Sequence, residues 1–187
     1  VSKITRAERE GFAALDAVYA TLPPIACQQQ CGIACHGGIV LTDLEARRLQ
    51  IATHIKPRTT DERGRCVYLS ADERCTVHPI RPLICRTWGL VKRLSCMHGC
   101  VPPVWLGDRS FLAAAVAVEQ IGGGRVLRTT VDGLAQFESD KTFTELAAAA
   151  VLSPVDDGVI AREAERVRVL RALHGGRILV AKDHTDV

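Results

Sequence analysis

The 187-residue chain has little aromatic material, only 4% from two Trp, two Tyr and four Phe, so it offers few rings on which nucleic-acid bases could stack. Long apolar runs are missing as well: stretches such as Leu112 to Val118 fall far short of the ~20 residues needed to cross a bilayer. No charged-then-apolar leader opens the sequence, and the expectation is a cytoplasmic chain with no membrane partner. Charge of one sign is scarce, with a net of +3 and a pI near 8.5, which alone implies no nucleic-acid partner without excluding one. A composition of 47% hydrophobic and 24% charged residues, with 15 Gly and 8 Pro, argues against collagen, disorder and coiled coil and for a globular chain of about one domain's length.

The most informative absence is local. All eight cysteines lie between Cys27 and Cys100, and residues 101–187 contain none. Charge follows the same division: residues 54–100 hold nine Lys/Arg against four Asp/Glu, whereas residues 107–187 hold ten against twelve. The basic excess travels with the sulfur.

Hydrophobic spacing predicts a mostly helical α+β protein. Ser2 is placed to cap a first helix whose apolar residues run from Ile4 to Leu22 at helical intervals, stopped by Pro23-Pro24. The glycine-bearing loop Cys27 to Gly38 follows, and Thr42-Asp43-Leu44-Glu45 then fits a capping box opening a second helix with Leu44, Leu49, Ile51 and Ala52 as its core side. Cys66 to Leu69 and Cys75 to His78 read as a short hairpin joined by the polar Ser70 to Arg74, ended by the rigid turn Pro79-Ile80-Arg81-Pro82. Leu83 to Trp88 begins another helix; Phe111 to Ile121, closed by Gly122 to Gly124, Lys141 to Leu152, and Asp156 to Leu173 make the C-terminal half helical. The expected organisation is a cysteine-rich metal-binding domain over 1–106, a small metal-organised core carrying the hairpin, with a helical region over 107–187 packed on it.

Disulfides suit short secreted chains that cannot build a core, and this chain has ample apolar residues. Buried structural cysteines would not crowd eight thiols into one segment, three of them at four-residue intervals. Metal binding accounts for the pattern, because thiolates favour soft centres such as zinc or iron-sulfur clusters and a glycine loop lets successive thiolates converge. The order Cys27-x3-Cys31-x3-Cys35, then Cys66, Cys75, Cys85 and Cys96-x3-Cys100, lacks the paired Cys-x2-Cys knuckles of zinc ribbons and so tilts towards iron-sulfur. A radical-SAM arrangement does not fit these gaps, and Gly122 to Gly124 lacks the Lys-Ser/Thr of a phosphate loop.

These residues also carry a resemblance. The clustered cysteine loop with Gly32, the segment Ile39 to Leu49, Cys66-Val-Tyr-Leu69, and above all Cys75-Thr-Val-His78-Pro-Ile-Arg81-Pro82-Leu-Ile-Cys85-Arg86 resemble the YkgJ-type cysteine-cluster family, described as zinc- or iron-chelating. The likeness covers residues 27 to about 100. It implies metal binding more firmly than any reaction, although members are often labelled iron-sulfur oxidoreductases. The chain departs from the family's Cys-x2-Cys-x3-Cys-Cys loop in two places: the first gap is one residue longer, and His36 stands where the second of two adjacent cysteines is usual.

On this reading the expected cofactor is a [4Fe-4S] cluster, with zinc as the alternative. Cys31, Cys35 and Cys85 are its first ligands, joined by one of Cys27, Cys66 or Cys75. Cys96 and Cys100 are candidates for a second metal site, with partners from Cys27, Cys66 and Cys75 or with His36, whose imidazole can ligate. Arg81 and Arg86 flank Cys85 and are placed to compensate thiolate charge, Pro82 to aim Cys85 inward, and Trp88 to shield the centre. The expected role is redox: electron transfer, a redox-dependent modification, or oxidant sensing. The competing role is a zinc-stapled interaction module whose basic face over 54–100 docks a protein or nucleic acid.

Overall fold

The structure, a computed structural model, describes residues 3–29, 39–55, 65–96, 98–123, 126–129, 135–136 and 142–151. The first helix, α1 (Arg6–Tyr19), starts three residues later than the spacing suggests, because Thr5 and Glu8 form a capping box. The Glu8 backbone N–H donates to Thr5 Oγ1 at 3.1 Å while the Thr5 N–H donates to Glu8 Oε2 at 2.7 Å, satisfying two amides that would otherwise be orphaned. Ser2 lies outside the described residues. Strand β1 (Val40–Thr42) runs directly into α2 (Asp43–Thr53), capped as expected by Thr42 with Glu45. The five-residue helix α3 (Leu83–Thr87) follows Pro82, and α4 (Asp108–Gly122) is the longest helix described. Strands β2 (Val126–Thr129) and β3 (Ala135–Gln136) and helix α5 (Phe143–Val151) complete the described elements. The helix expected over Asp156 to Leu173 falls outside them.

The described chain is thus mostly helical, with one small antiparallel sheet in the order β1-β2-β3 that the spacing alone did not suggest. Val40 pairs with Arg128 and Thr42 with Val126, so the strand leading out of the cysteine loop is held by the segment that follows α4. The expected hairpin is present in reduced form, as a single antiparallel bridge between Leu69 and Cys75 rather than two strands. Thr76 N–H to Tyr68 O and Ser70 N–H to Arg74 O, both 2.9 Å, flank that bridge. Arg65 ties the tip by donating to Ser70 O at 2.5 Å and to Glu73 at 2.9 Å.

Two hydrophobic cores result. The larger is organised by α4, in which every residue from Phe111 to Val118 is buried. Alanine at 113, 114, 115 and 117 lets neighbours approach on all sides, and a helix that is apolar all round must sit inside. Leu15 and Val18 of α1, Leu83 and Ile84 of α3, and Phe143, Ala147 and Val151 of α5 complete this core. At its C-terminal end α4 meets β1 so closely that a Cβ on Gly122 would collide with the Thr42 side chain. The smaller core holds Leu41, Ala46, Leu49, Tyr68 and Val77, with Cys66 and Cys75 packed against it. Between α1 and α2 two ion pairs reinforce the packing: Arg48 grips Asp16 with two bonds of 2.7 and 3.0 Å, and Arg47 meets Glu8 at 2.8 Å. No described helix is long and apolar enough to cross a membrane.

Candidate metal centre

Six of the eight cysteines can be placed; Cys31 and Cys35, together with His36, lie outside the described residues. Cys27, Cys66, Cys75, Cys85, Cys96 and Cys100 are each half-buried and form no disulfide among themselves. Cys66 opens the hairpin, Cys75 forms its bridge and Cys85 sits in α3, on three neighbouring pieces of chain. Cys96 and Cys100 bracket a turn closed by Gly99 N–H to Cys96 O at 3.1 Å, with Gly99 at φ +74°.

The electrostatics sort these thiols into two groups. Burial pushes the Cys85 thiol far up, with the charge of Cys66 and then Cys75 adding to the rise while Arg81 opposes it. Burial likewise raises Cys75, against the Val77 N–H, with Cys66 adding; Cys27 reaches the same thiol more weakly. Tyr68, buried beside Cys66, is pushed up to about 12. In the second group Cys100 accepts the Gln28 N–H, which favours its thiolate, but desolvation and a hydrogen bond with Cys96 outweigh this and the thiol rises. Cys27 acts weakly on both groups through its charge, on Cys75 and on Cys100, and its sulfur accepts the Gln29 N–H at 3.3 Å.

The two arginines have different surroundings. Arg81 lowers both Cys75 and Cys85, the effect expected of a cation beside thiolates, while its Nε donates to His78 O at 3.2 Å. Arg86 donates to Arg81 O at 2.6 Å and Pro79 O at 2.7 Å and lies 4.3 Å above the Tyr19 ring, so it straps the turn to α1. Pro82 is buried and extended at ψ 166°, turning the chain into the helix that carries Cys85. Trp88, at the C-cap of that helix, is 37% exposed.

Sequence reasoning placed Glu45 in a capping box and missed its larger part. The side chain is 3% exposed and accepts four hydrogen bonds. Oε2 takes the Thr42 N–H at 2.9 Å and the Thr42 hydroxyl at 3.1 Å; Oε1 takes the Tyr19 hydroxyl at 2.6 Å and the Leu83 N–H at 2.8 Å. One carboxylate therefore joins α1, β1, α2 and the first turn of α3. A burial-prone signal existed in the sequence, since Glu45 lies between the apolar Leu44 and Ala46, but its distant donors, Tyr19 and Leu83, cannot be read from local spacing.

His78, close to Cys75 in the sequence and expected there to support the site or face solvent rather than ligate, has surroundings that spacing does not show. Its Nε2 is buried with no hydrogen-bond partner, and burial, reinforced by Arg81 and Arg86, lowers its pKa to about 4, so the ring is neutral at pH 7. An orphaned buried nitrogen beside two arginines is the kind of unmet group that a bound species satisfies. The donor set fits zinc or iron in kind, soft sulfur with an adjacent cation. Among the described residues no three His, Cys, Asp or Glu side chains converge closely enough to hold a metal ion.

Residues 26–100 match the family model CxxCxxCC, described as a zinc- or iron-chelating domain. The match spans 75 of the chain's 187 residues. The domain takes in all eight cysteines, the hairpin, Glu45, Arg81 and α3, and it leaves α4 and α5 outside. Metal binding is the property it supports. No curated protein and no solved structure matches the chain.

Proposed function

We propose that the CxxCxxCC domain holds a [4Fe-4S] cluster and serves a redox role, as an electron carrier, an oxidant sensor or the centre of a redox-dependent modification. The observation that supports this reading is that Cys85 in α3 and Cys75 in the hairpin act electrostatically on each other and with Cys66, and that Arg81 acts on both Cys75 and Cys85. Thiols raised by burial are protonated when nothing is bound, and a metal centre displaces those protons and compensates the thiolate charge. Cys31, Cys35 and Cys85 would hold the group, with one of Cys27, Cys66 or Cys75 as the fourth ligand. Arg81 would oppose the residual negative charge of a four-thiolate site. When bound, such a cluster supplies one-electron chemistry. Reduced thiols of this kind persist in a reducing compartment, which suits a cytoplasmic location.

The test is anaerobic purification followed by analysis for iron, acid-labile sulfide and zinc. Iron and sulfide in equal amounts, in a brown protein absorbing near ~400 nm, are the expected result. A colourless anaerobic preparation with stoichiometric zinc and no sulfide overturns the redox reading and supports a zinc-stapled docking module.

A further inference from the structure

Building on that metal-site reading, we propose that Glu45 is the positioning residue of the metal centre: its buried carboxylate fixes the first turn of α3, and with it the place of Cys85. Three observations converge. First, α3 is only five residues long, and its N-cap is Pro82, which supplies no side-chain cap. A helix of that length cannot hold itself in place by propensity. Its first amide, the Leu83 N–H, is buried and would be orphaned without the Glu45 Oε1 acceptor at 2.8 Å. Second, that same oxygen is held from the other side by the Tyr19 hydroxyl at 2.6 Å, and Arg86 of α3 packs over the Tyr19 ring. The path Leu83 to Glu45 to Tyr19 to Arg86 closes on itself through α3, the helix that carries Cys85. Third, charge gives no reason for a carboxylate here, because a negative group beside thiolates opposes their ionisation. Four donors converge on it instead, which is the signature of a fixed anchor.

The consequence is local. Releasing the anchor should free Cys85 without freeing Cys96 and Cys100, which lie beyond α3 and are bracketed by their own turn. The experiment compares the purified full-length chain with Glu45→Gln, Tyr19→Phe and, as a control for general loosening, Phe111→Ala in the α4 core. Iodoacetamide labelling is resolved by cysteine, and release of the co-purified metal to EDTA is timed alongside. Glu45→Gln is expected to raise Cys85 labelling at least tenfold relative to Cys100 and to speed metal release by a similar factor. Tyr19→Phe, which removes one donor and keeps the ring, should shift the same ratio in the same direction by roughly threefold. Phe111→Ala should leave the ratio unchanged even as it lowers the melting temperature. Because Glu45→Gln also removes a charge that raises the Cys85 thiol, Tyr19→Phe decides whether or not Glu45→Gln folds: an unchanged Cys85 to Cys100 ratio in that variant, or the same change in Phe111→Ala, overturns the proposal. A preparation that contains neither iron nor zinc defeats the metal reading separately, and the labelling ratio still decides whether Glu45 positions Cys85.

Discussion

The guanidinium of Arg86 lies 4.3 Å from the centre of the Tyr19 ring while donating to the carbonyls of Arg81 and Pro79. One side chain thus closes the Pro-rich turn and pins it to the first helix. Only a planar fork can stack and bond in this way, which a lysine ammonium cannot reproduce.

Arg86→Lys is therefore expected to destabilise the protein by about 1–3 kcal/mol, from lost stacking and from carbonyls left with weaker partners. Urea unfolding checks this, and a midpoint equal to that of the parent protein would show that the strap contributes nothing.

The acid limb of stability has an identifiable contributor. Glu8 is held down to about 2, first by the Thr5 N–H and then by Arg47, from an ordinary value of 4.5. A depressed carboxylate contributes stability that is fully present above pH 4.5 and is lost as pH falls towards 2. Melting temperatures of Glu8→Gln should be lower than those of the parent at pH 6 and should converge with them near pH 2. Parallel curves across that window would remove Glu8 from the account.

Phe111 is fully buried at the start of α4. Phe111→Ala should cost about 3–5 kcal/mol, the range for deleting a buried ring that leaves a cavity. A cost below about 1 kcal/mol, measured by chemical denaturation, would mean that the core around α4 collapses to fill the space.

At Gly122 the error would be the opposite one, since a single added methyl meets Thr42, the residue that caps α2 and ends β1. Gly122→Ala is expected to destabilise by about 1–3 kcal/mol despite alanine's better helix propensity. Thr42→Ser in the same chain should restore little of the loss, because Oγ1 and Cβ of Thr42 lie nearer the added methyl than Cγ2 does. A stabilised Gly122→Ala would contradict the close approach.

Metal removal should separate the two cores. Among the described residues the larger core uses no cysteine, whereas Cys66 and Cys75 pack against the smaller. Chelation is expected to open residues 65–80 to protease while most helical ellipticity survives. Complete, cooperative loss of ellipticity on chelation would show instead that the metal holds the whole chain.

What the sequence made legible follows from how local each cause is. Thr42 and Glu45 lie three residues apart, and their box was readable; Thr5 with Glu8 and Thr142 with Glu145 repeat the pattern and set the starts of α1 and α5. The hairpin around Ser70 to Arg74 was readable because its turn chemistry is contained in a few polar residues. The sheet was not, because β1 finds its partner more than 80 residues downstream, at Val126 to Thr129. Cysteine spacing announced metal chemistry, yet which thiols approach one another depends on α3, whose place is set by Tyr19 and Glu45 from distant parts of the chain. The isolation of His78 Nε2 could not be foreseen either, since burial of one atom is a property of the packed molecule.

The alanines of α4 have an implication for anyone dividing this polypeptide. With Ala114, Ala115 and Ala117 at 0% exposure, the helix has no water-facing side through its centre, and Leu15, Val18 and Leu83 close over it from the N-terminal side. A fragment ending at residue 106 would display those leucines and valine as an adhesive surface, and the remainder would lose its lid. The thiol-bearing half is therefore best handled together with its alanine-rich wedge, as one inseparable piece of polypeptide.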